Sequence, residues 1–560
     1  MKKVIFSLLC AAALFSACDD RLEIPQKGVI DKDNFYKTDA DAENACVNLY
    51  SSLYSNVYAC DEVFVAYRLL YNVCGDDMWQ GGSDQFDFPD TQAVNYFTYD
   101  DQNSLLRYVY QGLYGLVVDC NLVLDNVPDD SPIKQRVRAE ARALRAWAHL
   151  MLAIGWGTPP IVDHILAADA QPANSDPQEI LQWVADEANA AAEFLNERTN
   201  TQDKVGASRV TKGFAYTVAG KALLTKGDYA GSKTALKKVI DSKKYELVPG
   251  DRWMSLFHAS GDLNEEKIFE VNTVYNSSLP MWFTMISRGP WQFANHWNWR
   301  TRDCFASQPS FDAIAGWGAH AIRKDFAEEM LAHEPNSIRR KNTFYTSDEL
   351  LYEMKWNGAI KADGSYPTRA ELETSNQVGL KMPVFGQAGY WAHKFIVRTA
   401  AEDNGVGDMN GDYQQRNLTL FRYAEVLLMY AEVCAQTGDN DGLQYLNAIQ
   451  NRVGAPVSAS LTLNDVKREK KFEMWLEGVR WSDMVRWKDF DGVKNNGKKM
   501  PRTYDKFFSE GAAKHEFVVE EIDLYSYAGF QEGIHEYFAF PYTSTSVNPN
   551  LVQNPSGLPH

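Results

Sequence analysis

The chain has 560 residues, 45% apolar and 23% charged, the balance of a folded protein too long for one small core. Its formal charge of −18 opposes binding to a nucleic-acid backbone, and no apolar run reaches the ~18–20 residues of a membrane-spanning helix. Aromatic residues make up 13%, with 15 Trp, 28 Tyr and 28 Phe, more flat apolar surface than a core requires.

Residues 1–17 read as a secretory signal: Lys2 and Lys3, an apolar stretch from Val4 to Phe15, then the small residues Ser16 and Ala17. Cys18 follows at the cut, as in a bacterial lipobox, so acylation there would leave residues 18–37 as a lipidated tether. Asp19 and Asp20 resemble the surface-export signal of Bacteroidota lipoproteins. Six further cysteines remain, at 46, 60, 74, 120, 304 and 434, with no CxxC pair. In an exported chain a bridge among the first four stays open, while Cys46, Cys120 and Cys434 fall in helical patterns that favour buried thiols.

Helical stripes then run through Asp41–Tyr54, Leu105–Val127, Ile133–Ile154 and Pro177–Glu197. Ser208–Asp241 places Gly220 and Ala222 in one helix, Gly227-Asp228-Tyr229 at a turn, and Ser232, Ala235 and Val239 in a second. That arrangement resembles a tetratricopeptide repeat. Arg422–Ile449 reads as another unit, and Leu463–Trp487 as one more helix. Such pairs bury their faces only by stacking, which predicts a mainly α, tetratricopeptide-like superhelix with a loop-rich, partly β lobe. The expected division is 38–244 and 416–488 as scaffold, 245–415 as a variable ligand-binding region, and 489–560 as a C-terminal loop-rich region packed on the lobe.

Signatures of catalysis are missing: no HExxH, GxSxG, P-loop or GxGxxG. The 74 acidic residues offer many carboxylate pairs, so composition alone leaves a lipid-anchored glycosidase open. Asp403–Asp412 is loosely calcium-loop-like but lacks the terminal Glu, and no cofactor or metal is expected. The informative segment is Pro280–Arg302, which holds Trp282, Trp291, Trp297 and Trp299 among Asn295, Arg300 and other polar residues. Trp79 sits in a similar setting beside Asp77. The spacing fits neither helix nor strand, which predicts exposed rings for stacking on sugar faces, with Asp77, Asn295 and Arg300 bonding hydroxyls.

Several stretches resemble the SusD/RagB family of outer-membrane lipoproteins. They are Cys18-Asp19-Asp20, Leu22–Gly28, Phe35–Thr38, Ala139–Ala146 with Gly157-Thr158-Pro159-Pro160, Arg422–Glu432, Phe472–Trp487 and Asn548–Asn554. The resemblance implies four tetratricopeptide-like pairs, no catalysis, a cell-surface position, and a SusC-like TonB-dependent barrel as partner. It also implies an oligosaccharide ligand, or in some members a peptide. The region 245–415 matches least, and there the family varies with its ligand.

Overall fold

The computed structural model describes residues 35–58, 66–273, 296–311, 313–398, 416–494, 499–525 and 528–558. Several of its long helices begin where the sequence supplies acceptors for free amides. Helix α1 (Asp39–Leu53) opens on a capping box between Thr38 and Asp41. After α2 (Ala66–Val73) and α3 (Pro89–Asn95), Asn103 caps α4 (Ser104–Asn126). Ser131 and Asp176 cap α5 (Pro132–Trp156) and α6 (Pro177–Phe194), each with proline at the first helical position, where a missing N–H costs nothing.

The first repeat is α7 (Lys212–Lys226) and α8 (Tyr229–Ser242). Gly227 ends α7 at φ 87°, and Asp228 accepts from Gly231 N at 2.9 Å to start α8. Across the pair, Ser232 Oγ donates to the Gly220 carbonyl at 2.8 Å. A Cβ on Gly220 would stand 2.6 Å from Leu236 Cδ2, so the close approach requires glycine. Ala222 and Ser232 are fully buried there. The second unit is α9 (Tyr423–Thr437) and α10 (Leu443–Val453), separated by Gly438 at φ 70°. Helices α4 to α8 pack each on the next and α8 packs on α9, which gives the mainly α superhelix that the sequence predicts.

Leu463–Trp487 is not one helix. It divides into α11 (Leu463–Glu473) and α12 (Arg480–Trp487), with Leu476 at φ 60° and Gly478 at φ 78° between them. The break brings Glu473 and Glu477 together around Arg422, which donates to each at 2.7 Å and to Glu266 at 2.8 Å. Arg339 also reaches Glu473, at 3.0 Å. Burial raises the Glu473 carboxyl, but Arg452, Arg422 and Arg339 outweigh it and hold the group ionised well below the usual range. Helical periodicity continues across the break, but satisfying these buried charges decides the backbone.

Short antiparallel strands form the lobe. β1 (Met78–Gln80) pairs with β3 (His320–Ile322), setting Trp79 opposite Ala321. β2 (Lys267–Val271) pairs with β7 (Leu418–Arg422), and β4 (Phe344–Thr346) with β6 (Tyr390–Ala392). β5 (Val384–Phe385), β8 (Lys499–Asp505) and β9 (Phe517–Asp523) make a three-stranded sheet, so the C-terminal segment read as loops contains a hairpin. Cys46, Cys74, Cys120, Cys304 and Cys434 are buried free thiols, and Cys60 lies outside the described residues.

Candidate functional site

The described part of the Trp-rich segment is an inner layer of the lobe. Gly316 N and Gly318 N donate to the Trp299 and Asn298 carbonyls at 2.8 and 2.9 Å. The Asn298 amide donates to the Ile314 and Val397 carbonyls. Gly81 N then bonds the Ala319 carbonyl at 2.7 Å, carrying the layer to β1.

This layering corrects the expectation that Trp79, Trp297 and Trp299 are exposed. Trp297 is 3% exposed and stacks on His320 at 3.9 Å and 9°. Burial lowers His320 and His296 to about 3 and about 4, so both rings are neutral at neutral pH and suit apolar neighbours. Trp299 is 2% exposed, parallel to Phe305 and edge-on to Trp391 in a second core. Trp79, 5% exposed, lies against Tyr96 with the Arg323 guanidinium 4.0 Å over its ring. Long-range partners cover these rings, and local periodicity carries no trace of them.

Asp77 is also buried, its carbonyl accepting from Trp475 Nε1 at 3.1 Å and Arg323 N at 3.3 Å. Burial, then the Asp76 charge, pushes its carboxyl up to about 7. Asp76 itself stays ionised, because Arg480 and Lys471 outweigh its burial. Of the expected contact residues that the structure describes, Arg300 is the one left partly exposed. It pairs with Asp303 at 2.9 Å and packs its Cγ against Gly318. Trp282, Trp291, Asn295 and Cys18 lie outside the described residues, as does the calcium-like stretch 403–412.

Two aromatic pairs with exposed rings, Trp317 with Phe88 and Phe86 with Tyr525, lie beside this layer. Gly318 takes a φ of 74°, open to glycine, beside Trp317, which is 40% exposed. Its ring lies 5.9 Å from Phe88 at 34°, and His296 sits 5.1 Å from Phe88 on the inner side. Phe88 has left-handed backbone at φ 53°, a strained conformation that over-determined surroundings must hold. Asp84 accepts from Phe86 N at 2.7 Å, Asp87 accepts from Ser83 N at 2.8 Å, and Pro89 then starts α3. Phe86 pairs with Tyr525 at 5.9 Å, the latter 85% exposed, and the Gln85 side chain accepts from Tyr525 N at 2.8 Å.

Trp317, Phe88, Phe86 and Tyr525, edged by Asp84, Asp87 and Arg300, form the candidate site. Flat rings can cover the C–H faces of a sugar, while carboxylates and guanidinium bond its hydroxyls. Sequence reasoning missed all four rings. The available signal was tryptophan between two glycines, and phenylalanines between aspartates and a proline, where no apolar neighbours share in burial.

Residues 320–556 match the model of the SusD family. That segment is similar to the SusD family. A SusD-like protein of Bacteroides ovatus is 23% identical over 505 residues, covering 87% of this chain and 83% of that one. One from Formosa agariphila is 22% identical over 508 residues, covering 86% and 90%. Among solved structures, a laminarin-binding SusD-like protein aligns with a TM-score of 0.70 at 21% identity, over 93% of this chain and 100% of that one. Surface glycan-binding protein A from Bacteroides thetaiotaomicron, in complex with laminarihexaose, aligns at 0.71 and 20%, with the same coverage. These structures share the SusD-like fold of the chain described here.

Proposed function

We propose that this SusD-like chain is a non-catalytic cell-surface lipoprotein. It binds oligosaccharide on the Trp317–Phe88–Phe86–Tyr525 face and delivers it to a SusC-like TonB-dependent barrel. The observation that carries the reading is this exposed aromatic group, edged by hydroxyl-bonding side chains, on a fold shared with proteins described as glycan-binding. The lipobox order ending at Cys18 supports anchoring, and among the described residues no helix is long and apolar enough to cross a membrane. The variable region 245–415 supplies Trp317 and Arg300.

A glycan array probed with the full-length chain and with Trp317→Ala tests this. Selective glycan signal that weakens in the variant supports the proposal. A blank array together with peptide binding would move the chain to the peptide-handling alternative, and release of shorter sugars would make it a glycosidase.

A further inference from the structure

Far from that face, the helical scaffold carries a groove of about 330 Å³. It runs along α5, between the end of α4 and the end of α6. Ala139, Ala190 and Ala191 open it, because small side chains leave the helix faces apart. Phe194, 49% exposed, stands at one end. Helix α4 begins beside the aromatic face, where the Asn103 amide donates to the Asp90 carbonyl at 2.9 Å. At about 1.5 Å per residue, Leu124 in the groove wall is roughly 30 Å along that helix. The groove is therefore a separate place on the molecule.

Its lining is electrically balanced and already fixed. Arg138, Arg142 and Arg145 face Asp125, Asp129 and Asp163. Arg138 donates to the Leu124 carbonyl in the last turn of α4 and to that of Val127 just beyond it. Arg145 is 5% exposed and donates to the Asn121 side chain at 2.6 Å and to Glu187 at 2.6 Å. Arg142 pairs with the same Glu187 at 3.0 Å, and Asp125 accepts from Ile165 N at 2.9 Å. These bonds hold donors and acceptors in place before anything binds, which lowers the ordering cost of association.

The lining also selects the ligand class. An anion would meet three aspartates, and a polycation three arginines. An apolar molecule would strip water from all six charges without replacing a hydrogen bond. A neutral, densely hydroxylated molecule satisfies both signs, because each hydroxyl donates and accepts. Phe194 offers a face for its C–H side. The volume lies at the small end of the ligand-pocket range, which suits the end of a chain and not its length.

We propose that the α4–α5–α6 groove is a second carbohydrate site, selective for a neutral oligosaccharide end and independent of the aromatic face. The test uses the full-length chain in detergent on an array of neutral, uronic-acid and sulfated oligosaccharides, with glycylglycine titrated separately by calorimetry. In a Trp317→Ala/Phe86→Ala background, neutral-glycan signal should persist. Adding Ala190→Trp, which fills the groove, should abolish it. Should that variant misfold, Phe194→Ala, at a half-exposed position, should weaken the remaining signal roughly three- to tenfold. Loss of all signal in the aromatic-face background would overturn the second site and leave the proposed function standing. Signal unaffected by the aromatic-face changes but removed by Ala190→Trp would keep the groove and overturn the assignment of the face. Persistence after both groove variants, preference for acidic glycans, groove-dependent glycylglycine binding, or a blank wild-type array would each overturn the groove proposal.

Discussion

The α7–α8 hairpin and the stretch 296–299 are both buried, but different information buries them. In the hairpin, Gly220, Ala222 and Ser232 meet partners a few turns away along the same local pattern. In the stretch, Trp297 is covered by His320 and Phe395, and Trp299 by Tyr345 and Trp391, from separate segments. The comparison teaches that a tryptophan-rich loop without periodicity can still be a core, and that in this lobe the binding candidates are the rings with glycine and aspartate neighbours.

The strongest way to break this comparison is Trp299→Ala. Removing the ring leaves a cavity between Phe305, Phe311 and Trp391, and should cost about 3–5 kcal/mol in the lobe. Thermal unfolding should show a clearly lower Tm. An unchanged Tm would mean the ring carries little of the lobe's packing and is free for ligand.

A smaller effect is expected in the scaffold. Ala222→Phe overpacks a fully buried helix contact and should cost about 1–3 kcal/mol. Denaturant titration at an unchanged slope would read this directly, and no loss would mean the repeat interface is looser than the Gly220–Leu236 approach indicates.

The pH dependence of stability sharpens the buried side of the lobe. Burial, then Asp76, raises the Asp77 carboxyl from 3.8 to about 7, so the folded chain keeps a proton that the unfolded chain releases. The sign follows: this contribution is complete below about 3.8 and is lost as pH rises through about 7. Asp77→Asn should flatten the fall of Tm across that window. A parallel fall in the variant would place the titration elsewhere.

The helical scaffold was legible because apolar stripes and small-residue contacts are local: the stripes at Leu105–Val127 and Pro177–Glu197 and the turn at Gly227 lie within a few residues of the observed ends. The division of 463–487 was not, because Arg422 and the two glutamates that surround it are brought together only by the tertiary fold. The hairpin at 499–523 was hidden by a proline and by strands whose faces are only partly buried. For the candidate site, the sequence reads Trp79, Trp297 and Trp299 as exposed where the structure buries them, while Trp282 and Trp291 lie outside the described residues. Which side of a layer a ring occupies depends on the strand beside it, and Trp317 faces outward because two glycine amides bind the stretch behind it.

The most direct measurement is glycan affinity and melting temperature for Trp317→Ala. The account predicts an unchanged Tm, since the ring is 40% exposed, and affinity lower by roughly two- to tenfold from the lost stacking contact. Unchanged affinity with the fold intact would contradict the account and remove Trp317 from the ligand-binding face.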